Sequence, residues 1–187
     1  MACGAPVLWA PFPRQLVKLG EVERLRVAKR TVHHMDLTTL VAVNKEIVAL
    51  TREPHEYSAT DGLQLEALLK EVAARADNQD FGEAVPEKAS LLVYKLAMGQ
   101  HFRAGNKRTA LVAGAVFLRK NGFSIRIDAP DLISVVDRAG MAEASLDEVY
   151  DVIGRLSVKA AAERKAWEGA VKQTVEANRK FLTDIGS

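Results

Sequence analysis

The chain has 187 residues, a formal net charge of +2 and a single cysteine, Cys3. This length allows one domain with a hydrophobic core and some appended structure. The small charge excludes the large positive excess that general nucleic-acid-binding proteins place on one face, and a lone cysteine excludes an internal disulfide. The N-terminus lacks the pattern of a secretory signal, and no stretch approaches the roughly 20 apolar residues that span a bilayer. We therefore expect a cytoplasmic protein without membrane association.

The composition favours helices, because alanine, leucine and long charged residues are abundant and aromatic residues are scarce. Residues 1–13 contain three prolines and predict an irregular arm. A first helix is predicted from Arg14 to Arg30. Its basic end, from Arg24 to Arg30, leaves two interpretations open, a nucleic-acid-binding surface or an ordinary solvated helix face. The small net charge favours the second.

The middle of the chain predicts three further helices. Asp36 and Asp61 are good N-caps, and each precedes an apolar pattern of helical spacing. The segment from Ala76 to Val85 is polar and rich in turn residues. Pro86 is then predicted to take the first position of a helix that ends near Gly99.

The second half of the chain centres on a strongly apolar helix predicted over Lys107 to Lys120, and its apolar residues lie nearly all round it, as in a central helix. The alternation from Phe123 to Ile127 predicts a short strand. Pro130 starts another helix, and Ser145 opens a capping box. Residues 158–185 predict one long charged helix with an apolar stripe. We favour its packing on its own domain, with dimerisation or a partner protein as the alternatives.

The most informative segment, Gly99 to Ala110, joins two of these helices. A helix N-terminus presents unpaired N–H groups and a partial positive charge, so it binds phosphate oxygens well. Gly105 would let the backbone approach a phosphate closely, and Lys107 and Arg108 add positive charge. Alternatively, Asn106 is a simple N-cap and both cations are solvated, although cations in a first turn oppose the helix dipole. The residues alone leave both interpretations open.

At this segment the chain resembles the Fic/Doc family, whose motif runs His-x-Phe-x-Asp/Glu-Gly/Ala-Asn-Gly/Lys-Arg at the start of a helix. The matching positions are Phe102, Gly105, Asn106, Lys107 and Arg108. Lys107 is typical of the Doc-like variant. The resemblance implies a mostly α fold, a Fic/Doc-type helical bundle with a small flap or hairpin and a long C-terminal helix. Together with the predicted elements, it divides the chain into an N-terminal arm and helix over residues 1–33, a Fic/Doc-like domain over 34–156 and a C-terminal helical extension over 157–187.

The resemblance also implies roles for the motif residues. In the family the histidine takes a proton from a target hydroxyl, the acidic residue holds Mg²⁺, and the Gly-Asn-x-Arg turn grips nucleotide phosphates. Here the histidine position falls on Gln100, whose amide cannot keep a proton near neutral pH, and the acidic position falls on Ala104, which has no side-chain oxygen for a metal. His101 would serve as the base only after a shift of register.

The candidate catalytic residues are therefore Gln100, His101, Asn106 and Arg108. The candidate nucleotide-binding residues are Phe102, Gly105, Asn106, Lys107 and Arg108. ATP or another nucleoside triphosphate is the implied co-substrate, no residues are assigned to a metal, and Ala104 casts doubt on Mg²⁺.

Two functions stay open. One is a transferase that moves AMP or phosphate from a nucleoside triphosphate to a hydroxyl of a target protein, with impaired or altered catalysis. The other is a catalytically inactive family member that binds or regulates a partner. The resemblance places target docking by strand addition at a flap over Gln79 to Val85, with an ordinary loop as the alternative. An antitoxin or a second copy would bind the C-terminal helix, whereas nucleic acid is not expected.

Some family members carry an inhibitory helix with the pattern Ser/Thr-x-x-x-Glu-Gly/Asn. Residues Arg164 to Gly169 match only its second half, so we expect Glu168 to be a solvent-facing helix residue.

Overall fold

The computed structural model describes residues 30–185, so the predicted arm, the first helix and Cys3 lie outside the described residues. Within this range the chain forms eight helices and one two-stranded sheet, which confirms the mostly α prediction. The helices are α1 (Leu37–Thr51), α2 (Ala59–Ala74), α3 (Phe81–Gly99), α4 (Asn106–Lys120), α5 (Pro130–Gly140), α6 (Leu146–Leu156), α7 (Trp167–Ala177) and α8 (Arg179–Asp184). The strands β1 (Phe123–Ser124) and β2 (Val158–Lys159) pair antiparallel. No helix between residues 30 and 185 is long and apolar enough to cross a bilayer.

Helix α4 is the centre of the fold, as its sequence predicts. Every residue from Arg108 to Leu118 is buried, and α1, α3, α5 and α7 all pack against it. The approach of α3 is close because Gly114 has no side chain: a Cβ there would lie 2.4 Å from Cγ2 of Val93. This central position holds the N-terminus of α4, where the motif lies, in a rigid frame.

Several predicted helix ends are confirmed. Asp36 caps α1 by accepting a hydrogen bond from the Thr39 amide at 2.8 Å, Pro130 is the first residue of α5, and Ser145 opens α6 with a capping box. The N-cap assigned to Asp61 is wrong. Ser58 caps α2 three residues earlier, and the Asp61 carboxylate accepts from the Ser58 amide at 2.9 Å, so Asp61 is the third helical residue of a capping box.

The flap predicted over Gln79 to Val85 is also wrong, because α3 begins at Phe81 rather than at Pro86. Asp80 takes the N-cap position, and Ala84 and Val85 are buried, so their packing draws this segment into the helix. Pro86 therefore lies inside α3. Strand addition at this segment would require the first turn of α3 to unwind.

The C-terminal segment is not the predicted single long helix. Residues 157–166 contain β2 and are otherwise irregular, and they cross the end of α4. There the amide of Glu163 donates to the carbonyl of Arg119 at 2.9 Å, and the Lys120 ammonium donates to the carbonyl of Lys165 at 2.6 Å. These bonds satisfy a carbonyl group at the end of α4 and one in the crossing segment, and they override the helical propensity of that segment. The apolar stripe of α7 and α8 is buried through residues such as Val171 and Leu182, which confirms packing on its own domain.

Candidate functional site

A cavity of about 300 Å³ lies at the N-terminus of α4. One side is formed by the loop after α3 and the first turn of α4, and the opposite side by α5. Among the lining residues are Gln100, Ala104, Gly105, Lys107, Arg108 and Asp137. Asn106, Arg103, Gly140 and Ile185 also reach the cavity. The structure thus brings Gln100 and the four residues from Gly105 to Arg108 together.

Asn106 closes the loop on itself. Its side-chain oxygen accepts from the backbone amide of Phe102 at 2.9 Å, and its side-chain nitrogen donates to the Phe102 carbonyl at 2.6 Å. The Asn106 side chain is therefore committed to the loop, and no side chain caps α4. In the described structure the first backbone N–H groups of α4 thus have no side-chain acceptor, and a helix N-terminus in this state favours anions.

Gly105 is required by both conformation and space. Its φ of 74° lies in the left-handed region, which side-chain-bearing residues rarely adopt. A Cβ at this position would lie 3.3 Å from Cγ1 of Val48, so the turn packs directly on α1. The sequence predicted a permissive glycine here, and its contact with α1 adds a packing reason.

Asn44 of α1 supports the loop from behind, and sequence reasoning did not assign it a functional role. It is fully buried, and its side-chain nitrogen donates to the carbonyl of Ala104 at 2.9 Å and to the hydroxyl oxygen of Thr109 at 3.0 Å. Its oxygen lies 2.8 Å from Nδ1 of His55, which is then the donor. A polar residue on the apolar face of a helix was the available sequence signal.

Glu53 was also missed, because only the fold brings it to the motif. Its carboxylate lies 2.6 Å from the guanidinium of Arg108, whose side chain is 9% exposed. The Thr51 hydroxyl also bonds to this carboxylate, and Arg52, in the left-handed conformation, turns the chain between them. Glu53 therefore fixes the direction of the Arg108 side chain by a charge-assisted bond and partly neutralises it.

The other two cations at the cavity have exposed partners. The Lys107 ammonium lies 2.9 Å from Oδ1 of Asp137, and the two side chains are 45% and 47% exposed. The Arg103 guanidinium lies 2.5 Å from a carboxylate oxygen of Glu56, and this hydrogen bond raises the pKa of Arg103. Each of the three cationic side chains that line the cavity in the described structure thus has a carboxylate partner.

Of the two neighbours Gln100 and His101, only Gln100 lines the cavity at the N-terminus of α4. Gln100 ends α3 in the left-handed conformation and lies exposed at the cavity. The imidazole of His101 turns back under Gly99, where a Cβ would lie 2.1 Å from its Nε2. It reaches a neighbouring cavity beside Asp61, its Nδ1 is buried without a partner in the described structure, and burial lowers its pKa. His101 is therefore not placed to act as a base at the cavity of Lys107.

Phe102 also lies away from the cavity. It is 3% exposed, and its ring centroid lies 5.8 Å from that of Tyr57 and 6.4 Å from that of His55. Phe102 anchors the loop in the core. Its buried position does not support the predicted contact with a nucleotide.

Two comparisons identify the group of proteins to which these features belong. A model of the Fic/DOC family matches residues 30–118. The protein kinase doc of Escherichia phage P1 is 34% identical to this chain over 97 residues, which cover 52% of the chain and 75% of the phage protein. The chain belongs to the Fic/Doc family. It therefore has the Fic-type transferase fold, although no solved structure matches it.

Fic/Doc proteins generally use a nucleoside triphosphate with Mg²⁺, and the residues of this loop do not fit that ion. Ala104 ends in a methyl group, and its carbonyl already accepts from Asn44. Asp137 is the carboxylate that lines the cavity, and Lys107 holds it. Within residues 30–185 no group of three or more His, Cys, Asp or Glu side chains is arranged to hold a metal. Mg²⁺ at a nucleotide site is usually held by one or two carboxylates together with substrate phosphates and water, and this loop offers no unpaired carboxylate for it.

Glu168, the residue that matches half of the inhibitory pattern of the Fic/Doc family, lies on α7. Its side chain is 74% exposed and pairs with Lys172 at 3.1 Å. It borders a different surface depression, beside Lys45 and Glu46 of α1. As expected, Glu168 is a solvent-facing helix residue.

Proposed function

We propose that the cavity binds the phosphates of a nucleoside triphosphate, with ATP as the candidate, and that the chain moves AMP or phosphate to a hydroxyl of a target protein. One observation carries the proposal: the Gly105 turn, the uncapped start of α4 and the side chains of Lys107 and Arg108 meet at one cavity in a Fic/Doc protein. Because the similar phage protein is named a protein kinase, we favour phosphate as the group transferred.

The reaction forms a bond between the hydroxyl oxygen of the target and the γ-phosphorus, breaks the bond from that phosphorus to the bridging oxygen, and releases ADP. Transfer of AMP would instead use the α-phosphorus and release pyrophosphate. The amide of Gln100 can accept a hydrogen bond from the hydroxyl but cannot take its proton, which passes to solvent. Losing a general base typically costs about 10²–10⁴-fold in rate, so we expect slow transfer with nucleotide binding retained.

A catalytically inactive binding or regulatory protein is the second candidate. It is favoured by Gln100 and Ala104, and also by the carboxylate partners of Lys107 and Arg108, which neutralise the cavity in the absence of phosphate. An antitoxin or a second copy would be its partner. Binding through the C-terminal helices would use their polar faces, since residues such as Val171 pack inward.

Labelled ATP distinguishes the two candidates. The purified chain is incubated with a cell lysate and with ATP labelled at either the α- or the γ-phosphorus, beside the variants Gln100→His and Gln100→His/Ala104→Asp. We expect the double variant to transfer γ-label to a protein at least 100-fold faster than the parent chain. Binding of ATP to the folded chain is measured separately by calorimetry, so that a weak site is distinguished from a slow one.

Three results would count against the proposal. If ATP binds but neither variant transfers either label, the chain is a binding protein and the transferase fails. If the parent chain transfers label as fast as Gln100→His, the role assigned to Gln100 is wrong. Transfer of α-label would replace phosphate by AMP. The variant Lys172→Ala, which changes a lysine on α7 away from the cavity, is the control for nonspecific effects of substitution.

A further inference from the structure

We infer that this cavity binds the phosphates of a metal-free nucleotide, with the ammonium of Lys107 in place of a divalent cation. The inference rests on the proposed function, because it specifies the charge state of the ligand at the same site. It follows because the residues of the loop do not fit Mg²⁺, the ion that Fic/Doc proteins generally use.

The oxygen atoms near the loop are the first reason. At Ala104 the only oxygen is the backbone carbonyl, and Asn44 donates to it at 2.9 Å. The Glu53 carboxylate is bound to the buried guanidinium of Arg108. The Asp137 carboxylate is bound to Lys107. At nucleotide sites the protein usually holds Mg²⁺ through one or two carboxylates, and substrate phosphates and water complete the shell. Here Ala104 supplies no carboxylate, and those of Glu53 and Asp137 are already paired with cations.

The charges around the cavity are the second reason. Lys107 and Arg108 both line the cavity, and each carries a positive charge, as does the start of α4. The carboxylates of Asp137 and Glu53 only balance these cations, and Ala104 adds no negative charge, so a divalent cation would meet no net attraction there. A phosphate group with no bound metal would instead be attracted by all three.

The position of Lys107 is the third reason. Its stem passes over Gly140 of α5, where a Cβ would lie 2.8 Å from its Cε, so the missing side chain makes room for it. Its partner Asp137 is half exposed, and ion pairs of this kind contribute little to stability. The flexible lysine can therefore exchange this carboxylate for a phosphate oxygen, whereas Arg108 stays fixed by Glu53.

Calorimetric titration with ATP tests the inference. The folded chain is titrated in buffer containing EDTA and again in excess MgCl₂. We expect ATP to bind at least tenfold more tightly in EDTA, because Mg²⁺ would remove the free nucleotide and cannot be held by the loop. Equal or tighter binding in MgCl₂ overturns the inference and leaves the proposed function intact. A lack of binding in both buffers overturns the proposed function as well.

Four variants sharpen the test. Ala104→Asp supplies the missing carboxylate and should reverse the preference, so that MgCl₂ tightens binding. Lys107→Ala should weaken binding in EDTA at least tenfold, while Asp137→Asn, which releases the lysine, should strengthen it several-fold. Lys172→Ala is the matched control and should change nothing. If Lys107→Ala binds ATP in EDTA as tightly as the parent chain, the assigned role of Lys107 is wrong.

Discussion

The loop between α3 and α4, together with the first turn of α4, is held differently from behind, where α1 lies, and from across the cavity, where α5 lies. On the α1 side, the buried amide of Asn44 and the carboxylate of Glu53 hold the loop and Arg108 from behind. On the α5 side, Asp137 holds Lys107 through a half-exposed ion pair. Buried polar groups that are fully partnered are costly to disturb, whereas exposed pairs contribute little. The α1 side therefore fixes the loop, and the α5 side is free to adapt to a ligand.

This difference bears on the two positions at which the chain departs from the family motif, Gln100 and Ala104. Gln100 is exposed at the end of α3, and the bond from Asn44 reaches the backbone of Ala104 rather than its side chain. Neither departure removes a bond that holds the loop. The side chains at positions 100 and 104 are those that would carry out the reaction in the family, whereas the backbone of Ala104 is what Asn44 holds.

Replacing Asn44 by leucine should lower the free energy of unfolding more than any other change, because Asn44 is the residue of α1 that holds the loop. The change leaves the Ala104 carbonyl, the Thr109 hydroxyl and Nδ1 of His55 without their partner. Since each buried unsatisfied polar group typically costs 1–3 kcal/mol, we expect the free energy of unfolding to fall by about 3 kcal/mol. Urea denaturation measures it. The same substitution at the exposed neighbour Lys45 is the control, and equal losses in the two variants would contradict this account.

Glu53→Ala should move stability and ligand affinity in opposite directions. Breaking a buried ion pair leaves an uncompensated charge, and because Glu53 is 34% exposed we expect a loss of about 2 kcal/mol, below the usual cost for fully buried pairs. The released Arg108 should bind inorganic phosphate more tightly. Urea denaturation and calorimetric titration with phosphate measure the two effects. A variant that loses stability and also loses phosphate affinity would contradict the expected gain and show that fixing the direction of Arg108 matters more for binding than neutralising its charge.

The helices that frame the cavity could largely be predicted from the sequence, because their ends are decided locally. The cap at Asp36, the proline at Pro130 and the capping box at Ser145 each act within one turn of helix. The C-terminal segment could not be predicted in this way. Its irregular part is held by the end of α4, which lies about 40 residues earlier in the chain.

In the candidate site, too, the residues that are close together in the sequence could be predicted, and their distant partners could not. Gly105, Lys107 and Arg108 follow one another in the sequence, so the motif predicted them as a group, and the structure places them at one cavity. Glu53 and Asp137 reach Arg108 and Lys107 only through the fold, across sequence separations of 55 and 30 residues. No local pattern marks such partners.

His101, which lies in the loop but faces the neighbouring cavity beside Asp61, should make the stability of the chain depend on pH. Burial lowers the pKa of His101, so the unfolded chain binds a proton more readily than the folded chain below about pH 6.5. Stability should therefore fall as the pH drops from about 7 to 5. In His101→Leu this fall should become shallower, as measured by urea denaturation at several pH values. An unchanged slope in His101→Leu would show that His101 is protonated as readily in the folded chain.

Asp137→Asn should have the smallest effect on stability, and it is the sharpest comparison with Glu53→Ala. Both variants remove the carboxylate partner of a cation in the first turn of α4. Lys107 and Asp137 are each about half exposed, whereas the side chain of Arg108 is buried. We expect the free energy of unfolding to change by less than about 1 kcal/mol, because water solvates the released ammonium. Urea denaturation of the two variants side by side measures the contrast. If Asp137→Asn destabilises the chain as much as Glu53→Ala, the α5 side is as rigid as the α1 side, and Lys107 is not free to turn toward a phosphate.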